Sequence, residues 1–184
     1  MPAFDPKTTA LILIDLQKGI VAMDLAPRTG AEIVTTSHAL AARFREAGAP
    51  VILVHVDFQP GEAPSQAVDA PMGGGERPAD WAELVEGVRH DGDVIVLKHH
   101  WGAFTGTDLD LQLRRRGVKT VLIGGIATNF GVESTARSAW EHSYDVVIVE
   151  DACTSAKAEL HDFAVKAIFP RISRVVTTDA IHFG

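Results

Sequence analysis

Thr120-Val121-Leu122-Ile123-Gly124-Gly125-Ile126-Ala127-Thr128-Asn129-Phe130-Gly131-Val132-Glu133-Ser134-Thr135-Ala136-Arg137 is the stretch whose reading decides the fold. Its opening apolar run reads as a strand buried on both faces. Gly124-Gly125 interrupts it, and the residues from Val132 onward read as a helix. A strand that turns sharply into a helix is the joint of a doubly wound α/β sheet. Enzymes built that way display an attacking side chain at such an elbow. The elbow here centres on Gly131, which has no side chain.

The pattern repeats outward from this joint. Ala10-Leu11-Ile12-Leu13-Ile14 ends at Asp15, Val51-Ile52-Leu53-Val54-His55-Val56 at Asp57, and Val94-Ile95-Val96-Leu97 at Lys98. Asp145-Val146-Val147-Ile148-Val149 ends at Glu150-Asp151, and Val175-Val176-Thr177 closes the series. Apolar, β-branched runs without polar alternation mark parallel strands covered on both faces. Between them lie amphipathic stretches. Residues 30–47 space Ile33, Leu40, Ala41 and Phe44 along one helical face and stop at Ala47-Gly48. Residues 107–116 open with Thr107-Asp108 as a cap and bury Leu109, Leu111 and Leu113, and residues 132–142 and 157–168 complete the set. The expected fold is α/β: a doubly wound three-layer α/β/α arrangement, Rossmann-like, with a mostly parallel six-stranded sheet and right-handed crossovers. No internal repeat is present. Residues 59–80, rich in Pro and Gly, read either as a surface loop or as a lid over the strand ends.

Composition narrows the function. A length of 184 residues suits one domain spanning 1–184. The net charge of −7 is spread along the chain with no basic block, so no nucleic-acid partner is expected. The single cysteine, Cys153, excludes an intramolecular disulfide and a cysteine-based zinc cluster. Met1-Pro2-Ala3-Phe4-Asp5-Pro6-Lys7 reads as neither a signal peptide nor a membrane anchor, so a cytoplasmic protein without a membrane partner is expected.

Open parallel sheets bind ligands beyond the carboxyl ends of their strands. The residues standing there are Asp15, Asp57, Lys98, the elbow 125–131 and Asp151. A lysine at a buried strand end needs a counter-charge, and Asp15 is the natural one. Such a pair reads either as a structural ion pair or as an acid/base device beside a helix N-terminus that suits a developing oxyanion.

Four blocks carry a resemblance: Leu11 through Gln17, Lys98 through Leu109 with Gly102-Ala103-Phe104-Thr105-Gly106-Thr107-Asp108, the elbow 125–137, and Glu150-Asp151-Ala152-Cys153. In this order they resemble the isochorismatase-like, or cysteine hydrolase, superfamily, which includes nicotinamidases, N-carbamoylsarcosine amidases and isochorismatases. The resemblance implies an Asp-Lys-Cys triad in which Asp15 is the general acid/base, Lys98 its partner, and the nucleophilic cysteine falls on Gly131. It implies a cis peptide at Ile126–Ala127 and an oxyanion site at Ile126, Ala127 and the residue 131 N–H. Gln17, Phe104 and Thr128 are further substrate-binding candidates. The metal site of nicotinamidases is not expected, because Gln59 stands where that group has histidine and no histidine lies between residues 56 and 89. No cofactor is expected.

The resemblance implies hydrolysis of a small molecule without a thiol, as in isochorismatases, where protonation of a vinyl ether by Asp15 suffices. The alternatives are a disarmed binder of small carboxylates or amides and a hydrolase using Cys153. Of His99 and His100, one is expected to face the pocket, and Arg28 and Arg77 are candidate cations for an anionic substrate. The expected assembly is a homodimer or homotetramer, with Trp81, Trp140 and Phe169 as candidate interface residues.

Overall fold

The computed structural model describes residues 3–58, 62–70 and 77–184. Among them six strands form one sheet: β1 (Thr9–Ile14), β2 (Val51–Val56), β3 (Val94–Lys98), β4 (Thr120–Ile126), β5 (Asp145–Thr154) and β6 (Arg174–Val176). Their order is β3-β2-β1-β4-β5-β6, and every neighbouring pair is parallel. This is the doubly wound α/β order, with its switch point between β1 and β4.

The inner strands lack polar alternation because both faces are covered; edge strand β3, expected to be covered likewise, leaves Leu97 44% exposed because no strand lies beyond it. Ala10, Ile12 and Ile14 of β1 join one core with Leu109 and Leu113 of α3 (Leu109–Arg115) and Ala136 and Ala139 of α4 (Glu133–Glu141). Leu11 and Leu13 point the other way, into a core with Ile33, Leu40, Ala41 and Phe44 of α2 (Gly30–Glu46). A short turn of helix, α1 (Lys18–Val21), flanks that second layer, and α5 (Ala158–Phe163) lies against β5 and the elbow. Helix α2 begins at a capping box in which Thr29 Oγ1 accepts from the Glu32 N–H and the Glu32 carboxylate accepts from the Thr29 N–H. It stops at Gly48 in the left-handed region (φ 74°).

Several expectations are corrected. The cap of α3 comes from Thr107, whose hydroxyl accepts the Leu109 N–H at 3.2 Å, while the Asp108 side chain makes no capping bond. Leu111 is exposed rather than buried, because it faces away from the two core leucines of α3. Phe169 is wholly buried in the first core and unavailable to an interface. Strand β5 runs on to Thr154. Ile123 pairs with Ile148 but Gly125 with Cys153, so β5 carries extra residues that bulge out of register. Of the lid expected over 59–80, residues 59–61 and 71–76, including Gln59, lie outside the described residues, while 62–70 are exposed without regular structure. No helix among the described residues is long and apolar enough to cross a membrane.

Strand β4 approaches β1 closely at Gly125. A Cβ there would meet the Ile14 carbonyl oxygen at 2.1 Å, and φ is 123°. Gly48 shares a positive φ but has open space around it. Gly125→Ala is expected to cost at least about 3 kcal/mol of unfolding free energy in urea titrations, against about 1 kcal/mol for Gly48→Ala. Equal costs would show that the β1–β4 contact does not constrain position 125.

Candidate active site

The site forms at the carboxyl edge around the switch point. Asp15 is the first residue past β1. It adopts a left-handed backbone (φ 54°), a conformation Asp tolerates better than most residues, and its N–H donates to the Val54 carbonyl at 2.8 Å. Lys98 ends β3 in register with Val56. Strand β2 lies between β1 and β3, so the Lys98 side chain crosses the end of β2 to bring Nζ within 2.8 Å of Asp15 Oδ2. Both residues are buried, at 6% and 2% exposure. Asp15 Oδ1 is buried with no hydrogen-bond partner among the described residues. Burial pushes the Asp15 carboxyl up to about 6, and the charge and hydrogen bond of Lys98 hold it from rising further. A carboxyl poised there exchanges protons near neutral pH.

The elbow faces this pair. The Ile126–Ala127 peptide is cis. The Phe130 and Val132 N–H groups both donate to the Ala127 carbonyl, at 3.1 and 3.2 Å, closing a π-type turn over Thr128–Val132 that runs into α4. Gly131 is buried inside that turn. A Cβ built on it would lie 3.0 Å from Ile14 Cγ2, 3.4 Å from Asp15 Oδ2 and 3.5 Å from the Trp101 carbonyl oxygen. A side chain at 131 would therefore start in contact with the Asp15 carboxyl. Trp101 and Phe130 pack beside this point at a tilt of 57°, ring centroids 4.7 Å apart, with Trp101 half exposed.

The other candidates have different places. The Gln17 amide is spent on backbone: Nε2 donates to the Val56 carbonyl (3.0 Å) and the Trp81 carbonyl (3.2 Å), and Oε1 accepts the Val56 N–H (2.8 Å). It braces the loop after β1 rather than binding substrate. Thr128 is likewise engaged, donating to the Thr154 carbonyl at 3.0 Å and lying 2.9 Å from His161 Nδ1. Phe104 stacks on His142 at the far end of α4, roughly 15 Å along the helix from Gly131, and belongs to the core rather than to the site. Thr135 Oγ1 donates to the Gly131 carbonyl (2.7 Å) and accepts the Ala103 N–H (3.1 Å), so it fixes the turn. Cys153 is fully buried, and that burial pushes its thiol up to about 12, against the thiolate a nucleophile needs. Asp151 accepts the Thr178 N–H and hydroxyl, and its side chain is spent there. His99 is half buried with Nδ1 2.7 Å from the Asp57 carbonyl, and His100 is exposed.

Arg28 is also committed. Its guanidinium holds the Glu150 carboxylate at 2.9 and 3.1 Å and donates to the Glu150 and Cys153 carbonyls. Glu150 in turn lies 3.0 Å from buried His161 Nε2. Sequence reasoning missed this buttress behind the elbow, because nothing in spacing ties Arg28 to a carboxylate so distant in the chain. A surface depression of about 400 Å³ lined by Glu150, Val175, Val176, Thr177 and Ala180 includes neither Asp15 nor Lys98.

Asp15 also links stability to pH. Its carboxyl sits near 3.8 when unfolded and about 6 when folded, so the folded chain binds that proton more tightly. The resulting stabilisation is present below about pH 3.8 and is lost as pH rises through 6. The stability of the wild type relative to a D15N/K98M variant, which lacks both charges, is expected to fall by roughly 2–3 kcal/mol between pH 3.5 and 7 in parallel urea titrations. A pH-independent difference would place the Asp15 carboxyl at its ordinary value.

Residues 9–180 match the family model of the isochorismatase domain. The chain is 47% identical over 184 residues to the uncharacterized isochorismatase family protein YecD of Escherichia coli O157:H7, covering 98% of each. It is 32% identical over 202 residues to the ureidoacrylate amidohydrolase RutB of Methylobacterium radiotolerans, covering 90% of this chain and 75% of that one. Its fold superimposes on an isochorismatase family protein from Burkholderia thailandensis with a TM-score of 0.93 at 43% identity, covering 98% and 96% of the two chains. The N-carbamoylsarcosine amidase of Thermoplasma acidophilum aligns at 25% identity with a TM-score of 0.76, covering 95% and 98%. This chain, with its buried acid–lysine pair facing a strand-to-helix elbow, belongs to the isochorismatase family.

Proposed function

We propose that this protein is a small-molecule hydrolase that works by acid catalysis from Asp15, with Lys98 holding its charge and no nucleophile at position 131. The observation that carries the reading is the position of Asp15 Oδ2. It lies 2.8 Å from Lys98 Nζ and 3.4 Å from the point where a residue 131 side chain would begin. By the family resemblance, that point would carry the nucleophilic cysteine of the amidase branch. Here the space is left to substrate or water, and the carboxyl faces it directly.

The chemistry follows from a carboxyl near pH 6. With a vinyl ether in the site, Asp15 gives its proton to the terminal alkene carbon as electrons flow from the ether oxygen, leaving an oxocarbenium ion and a carboxylate paired with Lys98. Water adds to the cationic carbon and returns a proton to Asp15. The resulting hemiketal collapses to a ketone and an alcohol. By the family resemblance, the N–H groups of Ala127 and Gly131 form the oxyanion site that suits the polar oxygen of the substrate. No thiol enters any step.

A second reading is supported by Gly131 itself. A chain that lost its nucleophile and kept its pocket is a binding protein for small carboxylates or amides. The two readings separate in a screen of isochorismate, nicotinamide and small amides and ureides with the wild type, Asp15→Ala and Gly131→Cys. The hydrolase reading expects wild-type turnover that drops by about a hundredfold or more in Asp15→Ala. Because the protonated carboxyl is the active form, kcat/KM should fall tenfold per pH unit above about pH 6. A silent wild type with amide hydrolysis only in Gly131→Cys would overturn it in favour of the binding reading.

A further inference from the structure

We propose that Arg77 is the specificity-determining residue of this site and that it takes the carboxylate of a small anionic substrate. This rests on the site assigned above and adds the class of molecule that enters it. When Asp15 is ionised it and Lys98 neutralise each other, and when it is protonated the one remaining charge, on Lys98, is still held in a hydrogen bond to Asp15, so a substrate carboxylate needs a cation with free donors. The neighbouring cations are also spent. Lys18 is paired with Asp80 and Glu83, at 3.1 and 2.7 Å, and Arg28 with Glu150 at 2.9 Å.

Arg77 differs. Its guanidinium carbon lies 5.0 Å from the centre of the Phe58 ring and 4.3 Å from that of Trp81. No carboxylate pairs with it among the described residues. Stacking uses the face of a guanidinium and leaves its in-plane N–H donors pointing outward, the geometry that receives a carboxylate through two parallel hydrogen bonds. A single monocation with a planar fork matches a carboxylate better than a phosphate dianion, which calls for more positive charge.

The two rings are rooted beside the acid–lysine pair. Phe58 stands two residues past Val56, the residue in register with Lys98. The Trp81 carbonyl accepts from Gln17 Nε2 (3.2 Å) and the Gly19 N–H (3.0 Å), two and four residues past Asp15. The Trp81 ring rests on Gly19 so closely that a Cβ there would overlap it, at 1.9 Å. Glycine at 19 thus lets the platform for Arg77 settle against the loop that leaves Asp15. A substrate whose carboxylate is held by Arg77 extends its other end toward the tilted Trp101–Phe130 pair and the open position at Gly131.

The test uses benzoate and fumarate with their neutral counterparts benzamide and fumaramide, and inorganic phosphate as a further anion. Binding to the full chain is read from tryptophan fluorescence and from the Arg77 Nε–H resonance, in the wild type, Arg77→Gln and Arg77→Lys. At least one carboxylate is expected to shift the Arg77 resonance and to bind at least tenfold more tightly to the wild type than to Arg77→Gln. Arg77→Lys should recover only part of that affinity, and the amides should bind no better to the wild type than to Arg77→Gln. Equal carboxylate affinity in wild type and Arg77→Gln, no saturable carboxylate binding, or tighter binding of phosphate than of carboxylate would overturn the proposal. Binding is read without turnover, so the two readings fail separately. An inert wild type that still binds carboxylates through Arg77 overturns the hydrolase alone. Turnover indifferent to Arg77→Gln overturns the recognition alone.

Discussion

The carboxyl edge of this sheet is organised by one ion pair, Asp15 with Lys98, joined across the end of an intervening strand. Taking two charges out of water costs several kcal/mol for each, and their mutual attraction only roughly offsets that cost. Apolar side chains of similar volume would hold β1, β2 and β3 together at least as well. What the pair supplies is a carboxyl that burial pushes up to about 6 and a cation that holds it from rising further. The left-handed backbone at Asp15 and the Asp15 N–H bond to Val54 aim that carboxyl at the elbow. The loop after β1 is then held by the Gln17 amide, which bonds to both the β2 end and the segment at Trp81. The carboxyl is thus held at the end of β1 by fixed bonds on either side of it.

The elbow has its own support, on the opposite side from the ion pair. Arg28 grips Glu150, Glu150 meets His161, and His161 meets Thr128, the first residue of the turn that contains Gly131. Thr128 also donates to the Thr154 carbonyl, and the Thr154 hydroxyl bonds to the Arg28 backbone, so the chain of contacts closes on itself. His161 and Thr128 are fully buried, and a buried polar network of this kind specifies a single arrangement only when its members are satisfied. The bulge in β5 makes the arrangement possible. By adding residues between Ile148 and Cys153 it frees Glu150 and Asp151 from the strand ladder, one for Arg28 and one for Thr178. A strand irregularity thereby positions the turn at the carboxyl edge.

The strands, their parallel arrangement and the acid–lysine pair were legible because each follows from a local rule. Apolar runs covered on both faces leave no alternation, and a buried lysine requires a counter-charge. Gln17, Thr128 and Phe104 are the opposite case. Their position in a motif says that they lie near the site, but not where their donors, acceptors or rings are used. The Gln17 amide is consumed by carbonyls reached only after the chain folds, and Phe104 turns toward His142. Arg28 and Arg77 looked equivalent as loop cations. The fold separates them, giving one a carboxylate far along the chain and the other two aromatic faces.

Packing does not require glycine at position 131. Where this fold needs glycine, an added Cβ would strike something hard: backbone at 2.1 Å for Gly30 and Gly125, and the Trp81 ring at 1.9 Å for Gly19. At Gly131 the nearest atom is a side-chain methyl of Ile14 at 3.0 Å, which needs to yield by only a few tenths of an ångström, and the backbone is not in the left-handed region. A small side chain therefore fits the turn without disturbing it. Glycine there is no steric necessity. Its consequence is chemical, because it leaves the space in front of Asp15 to whatever enters the site. That space is bounded by a titrating carboxyl, a carbonyl oxygen and an aliphatic methyl. It suits a carbon or oxygen that is to receive a proton, and it offers no anchor for a covalent intermediate.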